Sequence, residues 1–375
     1  MPLALIYKGF SAIVIASALV ACSSSGNRPK PAELTPLLPM MSVRQVWVNP
    51  VGASATPMTL SVNGDRVSVA SGNGTVAQVD VNTGADVWRV VLGTPLSAGV
   101  GSDGHMAAVV SQRNDLIALV AGKEVWRQRL PSAAYTAPLV AGQRVFVLGA
   151  DRSVTAFDGN SGARLWTQSR TGEPLVLRQS GVLLAVGDTL VAGLGGRMVG
   201  FNPNNGNTRW DVQLAVPKGA NDIERMVDLV GPISRAGNEV CARAFQTAIA
   251  CVDAQRGRLK WTQAADGRSG LGGDERWLFG AESDGRVVAW QRDTGQKAWT
   301  YSGLLHRNAL SPLLLGRSLA TADGFGFIHL LSREDGSPMA RLTTDGSPIH
   351  TAPVLAGDTL LALTQNGNMF AWRPQ

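Results

Sequence analysis

The sequence is poor in the residues from which most catalytic and metal sites are built. Its 375 residues include four His and three Cys, and only 17% of them are charged. It contains no G-x-S-x-G nucleophile motif, no H-E-x-x-H zinc motif and no G-x-x-x-x-G-K phosphate loop. These absences argue against the hydrolases, zinc peptidases and nucleotide-binding proteins that such motifs identify.

Long apolar runs are missing beyond the first segment of the chain. Residues 10–20 form an apolar run behind the basic Lys8, shorter than the roughly 20 residues of a transmembrane helix. The run is typical of a cleaved secretory signal. No later stretch has the length to cross a bilayer, so we expect a soluble body held to a membrane only by its end.

The signal ends in a sequence that resembles a bacterial lipoprotein cleavage box. Leu19 is followed by two small residues and Cys22, and in such a box the Cys becomes the lipid-bearing N-terminus. Ser23, rather than Asp, favours export to the outer membrane. An ordinary signal peptide that contains a Cys is the alternative. We predict a signal over residues 1–21 and, because the next residues are rich in Ser and Pro, a lipidated flexible tether over residues 22–39.

Positive charge is in modest excess but is not concentrated. The net charge is +6 and the isoelectric point is near 9.6, which suits a nucleic acid or an anionic surface. Lys and Arg, however, are scattered singly, without a basic run and without interleaved aromatic residues. The pattern favours a solvated basic surface and indicates no nucleic-acid partner.

A Gly four residues before a Trp recurs through the chain. The Gly residues are Gly84, Gly122, Gly162, Gly206, Gly257 and Gly295, and the Trp residues are Trp88, Trp126, Trp166, Trp210, Trp261 and Trp299. In a seventh unit, Gly336 is followed by Ala340 in the Trp position. The intervals of 38 to 51 residues match one four-stranded propeller blade.

Each unit reads as four short strands separated by turns, with the Trp on the outermost strand. An eighth unit is divided between the chain ends: residues after 350 supply three inner strands, and "VRQVWVN", residues 43–49, supplies the outer one. This pairing would close the ring and protect its edges. We predict an all-β, eight-bladed propeller of antiparallel blades over residues 40–375, with seven blades as the alternative.

Catalysis has one serious candidate. The Ala-x-Asp-x-x-x-Gly-x-x-x-Trp pattern resembles the blades of quinoprotein dehydrogenases, which use pyrroloquinoline quinone and calcium. The resemblance implies an adjacent Cys pair and acidic metal ligands, and this chain has no vicinal Cys. His105, His306, His329 and His350 lie in different blades without ligand spacing, so we expect surface or packing roles. We predict no enzymatic activity, no cofactor and no metal site.

Cys241 and Cys251 remain after Cys22 is lipidated, and a periplasmic location permits a disulfide. A hairpin centred on Gln246 places them opposite each other, whereas a two-residue turn at Gln246 and Thr247 places them on opposite faces of the sheet. The sequence leaves both arrangements open.

Two loops depart from the economical blade pattern, and both link an outer strand to the next inner strand. "TGEPLVLRQSG" carries Leu175, Leu177 and Arg178, an apolar pair beside a residue type enriched at binding hot spots. Both Leu would equally suit the start of an inward-packing strand. The second loop, "LAVPKGANDIERMVDLVGP", contains Asp228. Three roles are open for this residue: it holds Arg178 in position, it binds a basic partner, or it is a solvated loop acid.

These segments, with "LLHRNALSPLLL" and "GFIHLLSREDG", resemble the BamB family, the B subunits of the outer-membrane β-barrel assembly machinery. The resemblance implies a non-enzymatic scaffold lipoprotein on the periplasmic side of the outer membrane that binds the POTRA domains of BamA and assists barrel insertion. It also implies docking through Leu175, Leu177, Arg178 and Asp228, although Val230 replaces the family's second acid. Strand addition to unfolded barrel substrates is a further implied role. A generic periplasmic propeller that binds another partner is the alternative to this family.

Overall fold

The computed structural model describes residues 29–170, 175–217, 219–222 and 225–375. Within these ranges the strands form eight antiparallel sheets of four strands each, so the predicted eight-bladed propeller is confirmed and seven blades is wrong. No helix in the described ranges is long and apolar enough to span a membrane. The predicted signal, Cys22 and the beginning of the predicted tether lie outside the described residues.

The blades follow one another along the chain, each built from its inner strand outwards. Blades 1 to 4 contain β2 (Ser61–Asn63), β3 (Arg66–Ala70), β4 (Thr75–Asp80) and β5 (Asp86–Val91); β6 (Gly101–Ser102), β7 (Met106–Val110), β8 (Asp115–Val120) and β9 (Lys123–Arg129); β10 (Leu139–Ala141), β11 (Arg144–Leu148), β12 (Ser153–Asp158) and β13 (Arg164–Ser169); β14 (Leu183–Val186), β15 (Thr189–Leu194), β16 (Arg197–Phe201) and β17 (Thr208–Gln213).

Blades 5 to 8 repeat this order and end with the strand from the start of the chain. They contain β18 (Leu229–Ala236), β19 (Glu239–Ala244), β20 (Ala248–Asp253) and β21 (Arg258–Ala264); β22 (Gly272–Gly273), β23 (Trp277–Ala281), β24 (Val287–Gln291) and β25 (Lys297–Tyr301); β26 (Leu313–Leu315), β27 (Ser318–Ala322), β28 (Phe327–Ser332) and β29 (Pro338–Thr343); β30 (Val354–Ala356), β31 (Thr359–Leu363), β32 (Asn368–Pro374) and β1 (Val43–Pro50).

The N-terminal strand closes the ring as the repeat predicts. β1 pairs antiparallel with β32, so the last blade takes its outer strand from the beginning of the chain. The register between these strands shifts at Gln45 and Trp47, and the two outermost strands of the other seven blades show the same kind of irregularity. β1 therefore reproduces the geometry of a continuous blade.

The Gly and Trp of the repeat interlock neighbouring blades. Gly84 has a φ of 74°, and a Cβ built on it would lie 2.6 Å from the ring of Trp47 in the preceding blade. Gly162 stands in the same relation to Trp126, whose indole Nε1 donates to the Gly159 carbonyl at 2.6 Å. The Gly is therefore required for its backbone conformation and for the room that it leaves the indole.

The N-terminal segment lies against the outside of blade 7 before it enters β1. The Ala32 N–H donates to the Leu305 carbonyl at 2.8 Å, and the Met40 N–H donates to the Met339 carbonyl at 2.8 Å. Leu34 packs against the apolar cluster that contains Phe279. The last part of the segment expected to form a flexible tether is therefore held on the ring.

The hairpin of β19 and β20 has the first of the two arrangements that the sequence left open. Cys241 pairs directly with Cys251, Gln246 lies at the turn with a φ of 48°, and the two sulfur atoms are bonded. Both Cys residues are fully buried. The disulfide therefore joins adjacent strands inside blade 5.

Candidate partner-binding site

The two unusual loops lie on the same face of the ring. One connects β13 to β14 and the other connects β17 to β18, so each passes from an outer strand to the next inner strand. Antiparallel blades of four strands place all such connections on one face. Blades 3, 4 and 5 therefore present these loops side by side, although residues 171–174, 218 and 223–224 are not described.

Leu175 and Arg178 are exposed, whereas Leu177 is half-buried. The Leu175 residue retains 41% of its accessible surface, and the inner strand of blade 4 begins only at Leu183. The two Leu residues therefore precede the inner strand instead of starting it. The loop offers an apolar side chain and a cation to solvent, as a docking surface requires.

Arg178 lies over an aromatic ring from the loop that joins blades 2 and 3. Its guanidinium carbon is 5.4 Å from the centroid of Tyr135, a distance that permits a cation–π interaction. Within the described ranges no carboxylate lies close enough to Arg178 to form an ion pair.

Asp228 is directed inward. One of its carboxylate oxygens accepts from Arg152 Nη1 at 3.0 Å, and the other accepts from the Leu177 N–H at 2.8 Å. Arg152 Nη2 also donates to the Leu175 carbonyl at 3.0 Å. Asp228 therefore pairs with Arg152 instead of Arg178 and is not a solvated loop acid, while its predicted role in binding a partner stays a prediction.

Sequence reasoning overlooked Arg152, although the repeat carries a signal for it. In each blade the turn between the two middle strands has one residue with positive φ, and Arg152 is that residue in blade 3. The corresponding residues of the other blades are Gly74, Asn114, Gly195, Gln246, Gly285, Gly326 and Gly367. The other blades have Gly, Asn or Gln at this position. The Arg in blade 3 departs from that pattern, and this departure is the signal in the sequence that points to Arg152.

Val230, at the position of the missing second acid, is fully buried in β18. Its partner across the strands is Arg243, whose side chain is also fully buried. The guanidinium of Arg243 lies 3.3 Å from the carboxylate of Glu282 in the next blade. The charge beside Val230 is therefore balanced from blade 6.

The His residues differ in their environments. His105 and His350 are exposed, and His306 is half-buried. His329 is buried, and its Nε2 lies 3.0 Å from Asp323 Oδ2. Burial lowers the pKa of His329, against the opposing effect of the Asp323 carboxylate, so this imidazole packs in neutral form near neutral pH.

Glu239 lies beside the disulfide on blade 5. In the part of the chain that the structure describes, its carboxylate and the sulfurs of Cys241 and Cys251 form the one group of three potential metal ligands within 4.8 Å of one another. The two sulfurs are bonded to each other. Arg292 donates to Glu239 at 2.7 Å, and Lys260 also contacts it, so the carboxylate has basic partners of its own.

These features define a β-propeller whose neighbouring blades interlock through indole rings and whose described loop residues on one face include the exposed Leu175 and Arg178. The family described as "Outer membrane protein assembly factor BamB" has a sequence model that matches residues 44–301 of this chain. The BamB of Burkholderia pseudomallei is 38% identical over 98% of this chain and 99% of its own length. That of Bordetella pertussis is 35% identical over 94% of this chain and 93% of its own length.

The chain belongs to the BamB family of outer membrane protein assembly factors. This confirms the predicted family, the role in outer membrane protein assembly and the prediction of a non-enzymatic protein. It places the protein at the outer membrane of Gram-negative bacteria, within the assembly complex. The dehydrogenase alternative loses its support.

Solved structures show the same architecture. BamB from Moraxella catarrhalis superposes with a TM-score of 0.81 at 23% identity, covering 88% of this chain and 100% of that chain. The quinohemoprotein alcohol dehydrogenase of Comamonas testosteroni gives a TM-score of 0.68 at 13% identity, covering 88% and 76%. These likenesses establish the fold and explain why the blade repeat resembles that of quinoproteins.

Proposed function

We propose that the protein is a periplasmic scaffold, anchored to the outer membrane by lipid on Cys22, that docks on the POTRA domains of BamA through Leu175, Leu177 and Arg178. The observation that carries this proposal is the exposed apolar and cationic loop held on one face of a rigid ring. Exposed apolar groups beside an Arg are typical of interface hot spots.

The path of the N-terminal segment supports a common orientation for anchor and docking surface. Ala32 contacts Leu305 and Arg307 in the loop between β25 and β26, which connects an outer strand to an inner strand, as the docking loop does. Both therefore lie on the same face, about three blades apart. A lipid attached at Cys22 would tether the ring from the face that binds BamA.

We expect docking to depend on a few anchoring side chains of this loop. Leu175 and Arg178 extend outward beside Tyr135, while Leu177 is half-buried at the base of the same segment. Removing an anchor of this kind costs about 2 kcal/mol or more in typical interfaces, which corresponds to a loss of affinity of roughly 30-fold. Delivery or folding of barrel substrates would follow from positioning this scaffold beside BamA.

The test measures the affinity of residues 23–375, the chain without its signal and lipidated Cys, for the POTRA region of BamA from the same organism. We expect the Arg178→Ala variant to lose at least tenfold in affinity, and the variant with Leu175, Leu177 and Arg178 all changed to Ala to lose detectable binding. The fold should remain intact because the changes lie in a loop.

A matched control changes two exposed Leu residues and one exposed Arg on outer strands, Leu165, Leu259 and Arg258, to Ala. This variant should bind as the unmodified chain does. Equal affinity of all three variants would refute the site assignment, and no binding by the unmodified chain would refute the partner.

A further inference from the structure

We propose that Arg152 and Asp228 form an internal brace that fixes the position of residues 175–178, so that Asp228 supports docking without touching the partner. This inference rests on the proposed function, because the segment that the brace holds is the proposed docking segment. It assigns a positioning role to Arg152, which lies in the turn between β11 and β12 of blade 3, 23 residues before Leu175.

Both carboxylate oxygens of Asp228 are already engaged within the protein. One oxygen binds the Arg152 guanidinium and the other accepts the Leu177 N–H, at 3.0 and 2.8 Å. The side chains of Arg152 and Asp228 retain only 10% and 16% of their accessible surface. A partner cation would have to displace these bonds, and a buried charge that loses its partner is costly.

The brace reaches both ends of the apolar part of the segment. Arg152 Nη2 donates to the carbonyl of Leu175, and Asp228 accepts from the amide of Leu177. Two main-chain groups of a three-residue stretch are therefore attached to one ion pair. Because side chains extend from this fixed backbone, the positions of Leu175 and Arg178 follow from the brace.

The backbone conformation of Arg152 supports a functional reason for its presence. Its φ is 61°, in the left-handed region that costs a non-Gly residue about 1 kcal/mol or more. Five of the other seven blades have Gly at this position. An observed departure of this kind points to a compensating role, and the three hydrogen bonds of the guanidinium and its carboxylate partner provide one.

The side chain two residues after Asp228, in β18, is also directed inward. Val230 is fully buried opposite Arg243, which takes its counter-charge from Glu282. The strand that follows Asp228 thus offers no exposed acid to a partner at this point. The proposed interface on this chain is accordingly apolar and cationic, and it suits a partner surface with exposed carboxylates.

The decisive variant is Arg152→Gly, since Gly relieves the left-handed strain while the brace is lost. We expect the free energy of unfolding to fall, because the carboxylate of Asp228 loses its charged partner, and relief of the left-handed strain offsets only part of that cost. Affinity for the POTRA region should fall about tenfold. Affinity is measured at a temperature where far-UV circular dichroism shows the variant fully folded, so a merely structural role for Arg152 would leave binding unchanged.

Asp228→Asn should give a similar loss, and the double variant should lose no more than about the larger single loss, because both changes break one unit. Arg113→Met serves as the control, since Arg113 is exposed in the equivalent turn of blade 2 and lies outside the brace. Its affinity should be unchanged.

Hydrogen exchange of the Leu177 amide tests the brace without any partner. We expect exchange at Leu177 to be at least tenfold faster in Arg152→Gly and in Asp228→Asn than in the unmodified chain. If the unmodified chain fails to bind the POTRA region, the proposed function fails while this measurement still decides whether the brace exists.

A direct contact between Asp228 and the partner predicts the opposite pattern. Arg152→Gly would free the carboxylate and leave affinity within about twofold, while Asp228→Asn alone would weaken binding and reduce its salt dependence. That pattern, or an unchanged rate of exchange at Leu177 in both variants, would overturn the brace.

Discussion

The interlocking of blades makes a quantitative prediction about one repeat Gly. Gly162→Ala would place a Cβ 2.7 Å from the ring of Trp126, whereas Gly142→Ala would meet no atom within 4 Å. The two Gly residues have φ values of 71° and 59°, so both substitutions carry the same left-handed penalty of about 1–2 kcal/mol. The difference between the variants isolates the contact with the indole.

Overlap with a packed ring costs about 1–3 kcal/mol through displaced side chains and backbone. We therefore expect Gly162→Ala to lower the free energy of unfolding by about 1–3 kcal/mol more than Gly142→Ala does. Urea unfolding, followed by far-UV circular dichroism, measures both variants, and equal m-values would show that the same surface is exposed on unfolding.

A third measurement determines the free energy of unfolding after Gly162→Ala is introduced into the Trp126→Leu variant. With the indole gone, the extra cost of the Cβ should nearly vanish, since coupled neighbours are not additive. Equal unfolding midpoints for the Gly162→Ala and Gly142→Ala variants would refute the packing argument, and so would an unchanged cost when the indole is removed.

Two further perturbations act on the stability of single blades. Reduction of the buried Cys241–Cys251 disulfide, or replacement of both Cys by Ala, should lower the free energy of unfolding by about 2–3 kcal/mol. Thermal unfolding with and without reductant measures this effect. An unchanged melting temperature would show that the disulfide is not formed. His329 has a pKa lowered by burial, so the unfolded chain binds a proton more readily and stability should be lost as the pH falls below about 6.5. The His329→Gln variant should lose less stability than the unmodified chain between about pH 7 and pH 5, and parallel melting curves for the two proteins would contradict this.

Local sequence specified the architecture because the residues that build one blade lie close together in the chain. Turn residues, alternating apolar positions and the Gly-to-Trp spacing all lie within about 40 residues, so one repeat could be recognised without knowledge of its neighbours. The missing outer strand of the last blade and its Trp47 at the other end of the chain were sufficient to predict the closure that β1 provides.

The loop proposed for docking was also within reach of sequence reasoning. Leu175, Leu177 and Arg178 departed from the polar turn residues that a connection of this kind needs, and the structure shows Leu175 and Arg178 exposed. The sequence could not choose between an exposed loop and an early inner strand, because apolar spacing is the same in both. The start of β14 at Leu183 decides it.

What the sequence by itself determined, then, is the repeat, the ring and the family, since these depend on patterns that recur along the chain. Only the tertiary structure decided where charges are paired. Asp228 pairs with Arg152 from another blade and Arg243 pairs with Glu282 from the next one, because the ring brings together residues that are 76 and 39 positions apart in the chain. Ion pairs between separate blades leave no periodic trace in the sequence, so the direction in which Asp228 points could be read only from the folded protein.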